Sequence, residues 1–363
     1  MENSTFTAEN ISPFLATLRV IDAIVLMTIT VIGVVGNTLV FIAYCVSYKI
    51  RTKTNIFVIN LAAADFMTCS LLPIVSWSLL IKVDGIAHWL DVLCGFTIGA
   101  IQAFASCSIM MLASIAANRF VLITRSRETY KSLYQNKFIA VWLILSWTYP
   151  VLVVTVPLLF GVGHLGFDPE IHACGARADN PRSYLYDAIV VGIVIPLPAV
   201  VTIYCYGGIY FYIKSHNRNL EGIHRRPNFI NTAYNISRMN QNPETSSQAR
   251  VSKQQVDITK NLFYILVTFV ICLTPHMISE LANAHHLLIL HTKILVAFNS
   301  CVNPILYGAK HPHFRHVFKC IIYGRWGEIP EPTFRWMNAQ PSRSTNYSQR
   351  NIDRTAPSLS TSL

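Results

Sequence analysis

The residues able to do chemistry in this chain are few and widely spaced. Cys94 opens an apolar stretch and Arg119 closes it, in Ala117-Asn118-Arg119-Phe120, with no formal charge between them. As a helix rising about 1.5 Å per residue, the stretch covers roughly 37 Å, enough to cross a bilayer with a tilt. A thiol would then stand at one membrane face and a guanidinium at the other. Asp65, in Leu61-Ala62-Ala63-Ala64-Asp65, is a lone carboxylate in another apolar stretch. In hydrocarbon such a group marks a functional site or a hydrogen-bonded packing contact, and Asn37 is a candidate partner for it. Ser108 precedes Arg119 by eleven residues, close to three helical turns, so the two share one face.

A second group of reactive side chains lies later in the sequence. His276, His285, His286 and His291 gather near Glu280. They raise the reading of a zinc-dependent intramembrane hydrolase, but the spacing His-Glu-x-x-His is absent and no catalytic set is assigned. Proton sensing uses these residues better. Seven of the twelve histidines (His88, His164, His172, His276, His285, His286 and His291) fall on the outer side of the topology derived below, and imidazole titrates near pH ~6.5. Lys293 either pairs with Glu280, snorkels, or anchors an anionic ligand.

The elements that must position these residues are membrane helices. Of 363 residues, 52% are hydrophobic and only 13% charged, where soluble proteins carry about 25% charged residues. Mean hydropathy is +0.41. Seven apolar stretches are long enough to span, at approximately 20–46, 56–81, 91–123, 137–161, 185–213, 260–284 and 288–308. The expected fold is therefore an all-α membrane protein, a seven-transmembrane bundle over residues 20–308. No cleavable signal peptide is expected, because the first apolar run is too long and lacks a basic flank. Of the 29 lysines and arginines, 24 lie in the loops after spans one, three and five and in the C-terminal tail. The positive-inside rule puts the N-terminus (1–19) outside the cell membrane and the tail in the cytoplasm. The net charge of +11 is thus a topology signal, and nucleic-acid binding is excluded for want of a binding module.

This topology leaves only Cys94 and Cys174, of nine cysteines, on the oxidising side, and makes them a disulfide candidate. Asn3 and Asn10 open outward-facing glycosylation patterns. Pro196 and Pro198 should kink span five. Residues 214–255 read as a disordered cytoplasmic loop. Residues 309–323 form an amphipathic helix on the inner leaflet, contacting membrane lipids, where Cys320 could be palmitoylated. Residues 324–363 read as a disordered tail, with Ser/Thr sites for a receptor kinase and arrestin and a PDZ-like terminus, Thr361-Ser362-Leu363. No internal repeat is apparent, which weakens a transporter reading.

Taken together, these positions resemble a family. Asn37, the run ending in Asp65, Cys94, Arg119, Trp147, Cys174, Pro198 with Tyr206, Pro275, and Asn303-Pro304-Ile305-Leu306-Tyr307 resemble the pattern of rhodopsin-like (class A) G-protein-coupled receptors over roughly residues 20–323. Within that class the chain is similar to melatonin receptors and melatonin-receptor-like orphan receptors. Asn118-Arg119-Phe120, Phe167-Asp168-Pro169-Glu170-Ile171 and Asn55-Ile56-Phe57-Val58 carry that likeness.

The resemblance implies a receptor, not an enzyme. It implies a small-molecule or lipid-like ligand entering among spans three, five, six and seven, with Ile101, Gln102, Ala105, His276, Glu280 and Lys293 as pocket candidates. Pro198, Ile109 and Phe269 would couple the pocket to an outward swing of span six, aided by Pro275. Asn118, Arg119, Phe120, Tyr206, Asn303, Pro304 and Tyr307 would serve activation and coupling to a heterotrimeric G protein. Asp65, Ser108, Asn299, Ser300 and Asn303 match a pocket for an allosteric sodium ion, with Asp65 as the metal-binding carboxylate; no other cofactor is implied.

Departures from the family pattern narrow the reading. Asn118 replaces the acid that usually precedes the arginine, and Gln255 stands where span six often supplies an acid, so no inner ionic lock is expected and basal activity should be appreciable. Leu273 replaces the span-six tryptophan. Ile101 stands where amine receptors carry an aspartate, which argues against a cationic amine ligand. Pro157 and Ala178 replace melatonin-contacting residues, which argues against melatonin itself. Ala297 stands where an opsin carries its retinal lysine, which excludes a light sensor.

Overall fold

The computed structural model describes residues 8–81, 88–169, 172–177, 180–224, 264, 267–282 and 286–334. Seven helical spans cross one bundle. Span one is Ala8–Val46, span two Lys53–Leu80, span three His88–Thr124 and span four Asn136–Leu159. Span five runs through Ser183–Val194 and Pro196–His224, span six includes Val267–Leu281, and span seven is His286–Lys310. A short helix, Arg127–Leu133, sits between spans three and four, and an amphipathic helix, Pro312–Ile322, follows span seven.

Polarity is turned inside out relative to a water-soluble protein. Asn37, Asp65, Ser108 and Asn303 are buried, whereas Ile24, Ile203 and Ile271 lie on the bundle's outer surface. In hydrocarbon the backbone is satisfied within each helix, and polar side chains gain only by facing one another. The break in span five falls at Pro196, which has no N–H to donate to the turn before it. Spans three and five approach closely at Gly208, where an added Cβ would lie 2.5 Å from the Phe120 ring.

The outer loop between spans four and five is a two-stranded antiparallel hairpin, β1 (Leu165–Asp168) and β2 (Ala173–Ala176), with Phe167 opposite Cys174. A disulfide joins Cys174 to Cys94 at the head of span three. Asp91, one turn earlier, accepts from the Phe167 amide (3.1 Å) and Arg177 (3.3 Å), and lies 3.2 Å from His164 Nε2. The Cys174 amide donates to Ser78 of span two (3.2 Å). Gly95 lets β1 lie on span three, since a Cβ there would fall 2.5 Å from the Leu165 carbonyl oxygen. The hairpin is thereby fixed over the bundle mouth.

Several boundaries differ from the sequence expectation. Span one starts at Ala8, not near residue 20, so most of the expected N-terminal segment is helical. Apolar residues 14, 15 and 18 extend the helical pattern outward, and the Thr17 hydroxyl returns to the Pro13 carbonyl (2.9 Å). Asn10 thus lies within a helix, while Asn3 is outside the described residues. Helix also continues to His224, into the expected 214–255 loop; residues 225–255 lie outside the described set.

The segment following the amphipathic helix departs most. The expected disordered tail begins as a strap that folds back on the first inner loop. The Thr333 amide donates to Val46 O (2.9 Å), the Tyr48 amide to Glu331 O (2.9 Å) and the Ser47 hydroxyl to Pro330 O (2.6 Å). Ile329 supplies a buried anchor. Prolines 330 and 332 have no amide hydrogens to satisfy, which lowers the cost of docking as a single extended strand. Cys320 is buried beneath this strap, and the Arg325 amide donates to its carbonyl (2.8 Å). Burial raises its thiol pKa. The palmitoylation candidate Cys320 is thus a buried thiol on the amphipathic helix. Residues 335–363, including the PDZ-like terminus, lie outside the described residues.

Candidate functional site

Beneath the hairpin, spans two, three, five, six and seven enclose a cavity of about 160 Å³. Cys174 and Gly175 of β2 contribute to its roof, and Ile109, Leu273 and Ser300 reach its floor. Five of the six expected pocket residues line it: Ile101, Gln102, Ala105, His276 and Lys293. The sixth, Glu280, stands behind Lys293, with its Oε1 3.2 Å from the ammonium. Asp187 of span five lies 3.7 Å from the same ammonium and faces the cavity. Lys293 thus joins spans five, six and seven through two carboxylates. Its pairing with Glu280 was among the sequence readings, whereas Asp187 was missed. The signal was available, because Asp187 is an acid in an otherwise apolar span.

The pocket walls are held by neutral hydrogen bonds as well. The Tyr186 hydroxyl donates to Gln102 Oε1 (2.7 Å), joining spans five and three. Thr292 and Ser279 hydroxyls lie 3.0 Å apart, and His276 Nδ1 is 3.4 Å from Thr292 Oγ1. His276 and His291 do not converge on one centre. His276 lies 3.9 Å from Glu280, while His291 pairs with Asp22 of span one (3.5 Å). Among the described residues no group of three or more His, Cys, Asp or Glu is placed to hold a metal ion. The geometry for a zinc-dependent hydrolase is therefore not assembled there.

Below the cavity lies the buried carboxylate. Asp65 accepts from Ser108 (2.9 Å), Asn303 (2.7 Å) and the Ser300 hydroxyl. Asn299 is buried on the same helix as Ser300 and Asn303. Asn37 is not a partner of Asp65, contrary to the sequence expectation. Its amide nitrogen donates to the Gly33 and Ser300 carbonyls (2.9 and 3.1 Å), because span one packs against the span-seven backbone one turn above Asn303. Asn303 Oδ1 is buried without a hydrogen-bond partner beside the carboxylate. Carboxylate, hydroxyl and amide oxygens with one acceptor unused suit a hard cation.

Ile109, Phe269 and Leu273 share one buried apolar cluster, with Pro198 buried on span five. The cluster separates the cavity from the inner end. There Tyr307 stacks on Phe314 of the amphipathic helix, with ring centroids 5.4 Å apart, and Pro304 and Pro275 sit within their helices. Arg119 is buried among Tyr130, Tyr206 and Tyr307. Asn118 accepts from the Thr54 hydroxyl of span two and donates to the Tyr130 hydroxyl (3.3 Å). Phe120 packs against Tyr204 of span five, with centroids 5.6 Å apart. His311, just past span seven, caps the amphipathic helix by accepting from the Phe314 amide (3.5 Å). Burial, and then the charge of Arg119, lowers its pKa to about 3, so it caps in the neutral form.

Comparison with known proteins places this arrangement among others. The profile described as 7 transmembrane receptor (rhodopsin family) matches residues 36–307. The chain is 26% identical to the Danio rerio melatonin receptor type 1A-A, over 89% of each protein. It is 23% identical to the Drosophila melanogaster G-protein coupled receptor moody, over 85% of this chain but only 52% of that one, so it spans about half of that relative's length. Squid rhodopsin has a similar fold, with a TM-score of 0.68 over 85% of this chain and 86% of the other, at 19% identity.

Proposed function

The chain belongs to the rhodopsin family of seven-transmembrane receptors, and from that premise we propose how it signals. It is a multi-pass G-protein-coupled receptor and not an enzyme. Its ligand binds from the extracellular side in the cavity bounded by Gln102, Asp187, His276 and Lys293. The bound ligand shifts the conformational equilibrium toward a state in which span six swings outward and Arg119, Tyr206 and Tyr307 meet a heterotrimeric G protein. The observation that supports this most is the stacked buried column beneath the mouth. The cavity ends on Ile109 and Leu273; the Asp65 network lies below, and Arg119 lies below that. A sodium ion held by Asp65, Ser108, Ser300 and Asn303 would stabilise the resting column, since its charge complements a buried carboxylate. The N-terminus faces outward and the tail inward; arrestin, a receptor kinase and a PDZ protein are its further partners on the cytoplasmic side.

The test is nucleotide exchange by a panel of purified G proteins on the receptor in lipid nanodiscs. Exchange by at least one G protein, lost in Arg119→Ala with folding intact, is the expected outcome; exchange that Arg119→Ala leaves unchanged would sink the reading.

A second reading, extracellular proton sensing, is favoured by two outer pairs, Asp91 with His164 and Asp22 with His291. Protonating either histidine strengthens its attraction to the carboxylate and so tightens the mouth. A flat signalling response between pH ~6 and ~8 would end it.

A further inference from the structure

We propose, building on the receptor reading, that the ligand is an aliphatic amphiphile with one positive charge. Its chain lies in the cavity and its cationic head sits on Asp187 of span five, which supplies, contrary to the expectation from Ile101, the carboxylate that span three lacks. The cavity wall is aliphatic, with Leu72, Ile98, Ile101, Val191, Leu290 and Ile294 around it. Among the described lining residues there is no Phe, Tyr or Trp, although 11% of the chain is aromatic. An aromatic ligand would find no ring to stack on. An alkyl chain fills such a wall by desolvation and dispersion alone.

The charges at the outer end select the head. Lys293 stands nearer to Glu280 (3.2 Å) than to Asp187 (3.7 Å). Asp187 and Lys293 face the cavity, whereas Glu280 does not. Among the contacts of Lys293, two carboxylates face one ammonium. A monocation on Asp187 brings the group to neutrality, with Lys293 retained by Glu280. An anionic head would instead add a second uncompensated negative charge to the group and stand beside Asp187. Charges this deeply placed are tolerated when they are matched.

A lipid-facing groove borders the same part of the bundle, which offers a second route beside the extracellular mouth. A groove of about 580 Å³ runs along the outer half of spans six and seven, lined by Val270, Ile271, Ile278 and Leu288 on the lipid side. Ser279 and Thr292 lie in the same groove, and both belong to the hydrogen-bonded line that ends on His276 in the cavity wall. One polar seam therefore separates a lipid-facing groove from the aliphatic cavity. A membrane-dissolved amphiphile could cross it without leaving the bilayer.

The test uses decylammonium, decanoate, decanol, decylphosphocholine and phenethylammonium on the purified receptor in nanodiscs, read by thermal unfolding. Decylammonium should raise the midpoint at lower concentration than the other four. Asp187→Asn should weaken it by about tenfold or more, since it removes a charge-assisted contact. Ala105→Phe, which fills the cavity and spares the charges, should weaken it as well, so one unstable variant does not decide the result. Preference for decanoate, decylphosphocholine or phenethylammonium would overturn the ligand class, as would binding that neither substitution alters. That failure is distinct from failure of the receptor reading, which ligand-free nucleotide exchange sensitive to Arg119→Ala tests separately.

Discussion

The two ends of the bundle are joined by different chemistry. At the outer end, helices and loop meet through charges: Lys293 between Asp187 and Glu280, Asp91 against Arg177 and His164, and Asp22 against His291. A disulfide reinforces them. At the inner end, Asn118 joins span two and the Arg127–Leu133 helix through hydroxyl groups alone. A neutral hydrogen bond contributes about 0.5–1.5 kcal/mol net. The outer end therefore carries a covalent tie and paired charges, whereas the Asn118 joint at the inner end rests on two neutral hydrogen bonds. In the proposed mechanism this arrangement would keep the ligand site shaped while the G-protein face samples the open state. This gives a physical reason for the basal activity expected from Asn118.

The largest expected effect comes from cutting the covalent tie. Cys94→Ser or Cys174→Ser should cost about 2–5 kcal/mol of stability, read as a lower unfolding temperature and reduced surface expression. A small loss would mean that the Asp91 contacts alone hold the hairpin, and the comparison would rest on charge only. Glu280→Gln comes next. It leaves Lys293 on Asp187 alone and should lower stability by about 1–3 kcal/mol in thermal unfolding, discounted because the lysine is partly exposed. No change would make the outer charge group an ornament of the mouth and not a joint. The smallest effect is at the inner end. Asn118→Ala should raise ligand-free nucleotide exchange about five- to thirtyfold, the equivalent of two neutral hydrogen bonds lost from the resting state. A fall in exchange would reverse the comparison, placing the Asn118 contacts in the active state.

Much of the fold was legible because membrane spans obey a local rule. Twenty or so apolar residues announce a helix whatever surrounds them, and lysine and arginine placement orients it. Pocket candidates such as Ile101, Gln102 and Ala105 came from the resemblance to rhodopsin-like receptors, and the structure places them on the cavity wall. Cys94 and Cys174 followed from topology and are joined. What escaped was pairwise. Asn37 looked like a partner for Asp65 but bonds the Ser300 carbonyl, because the offset of span one against span seven is not written in either stretch. Asp187 carried a signal as an acid in an apolar span, but its partner, Lys293, is brought to it only by the packing of span seven. The segment at 325–333 read as disordered because it is polar and proline-bearing, yet its backbone finds the unsatisfied groups of the first inner loop.

The sequence by itself determined the class of molecule: seven apolar spans, a cysteine pair that is joined, an arginine closing the third span and the absence of the usual acid beside it. Each of these rests on one residue type or one local pattern measured against hydrocarbon or water, so no neighbour is needed to read it. Only the tertiary structure decided what the charges do. Whether Lys293 is a tether, which carboxylate remains for a ligand, whether Cys320 is exposed and where the tail begins all depend on contacts between segments far apart in the chain. Their energies come from distances and burial that no single stretch contains.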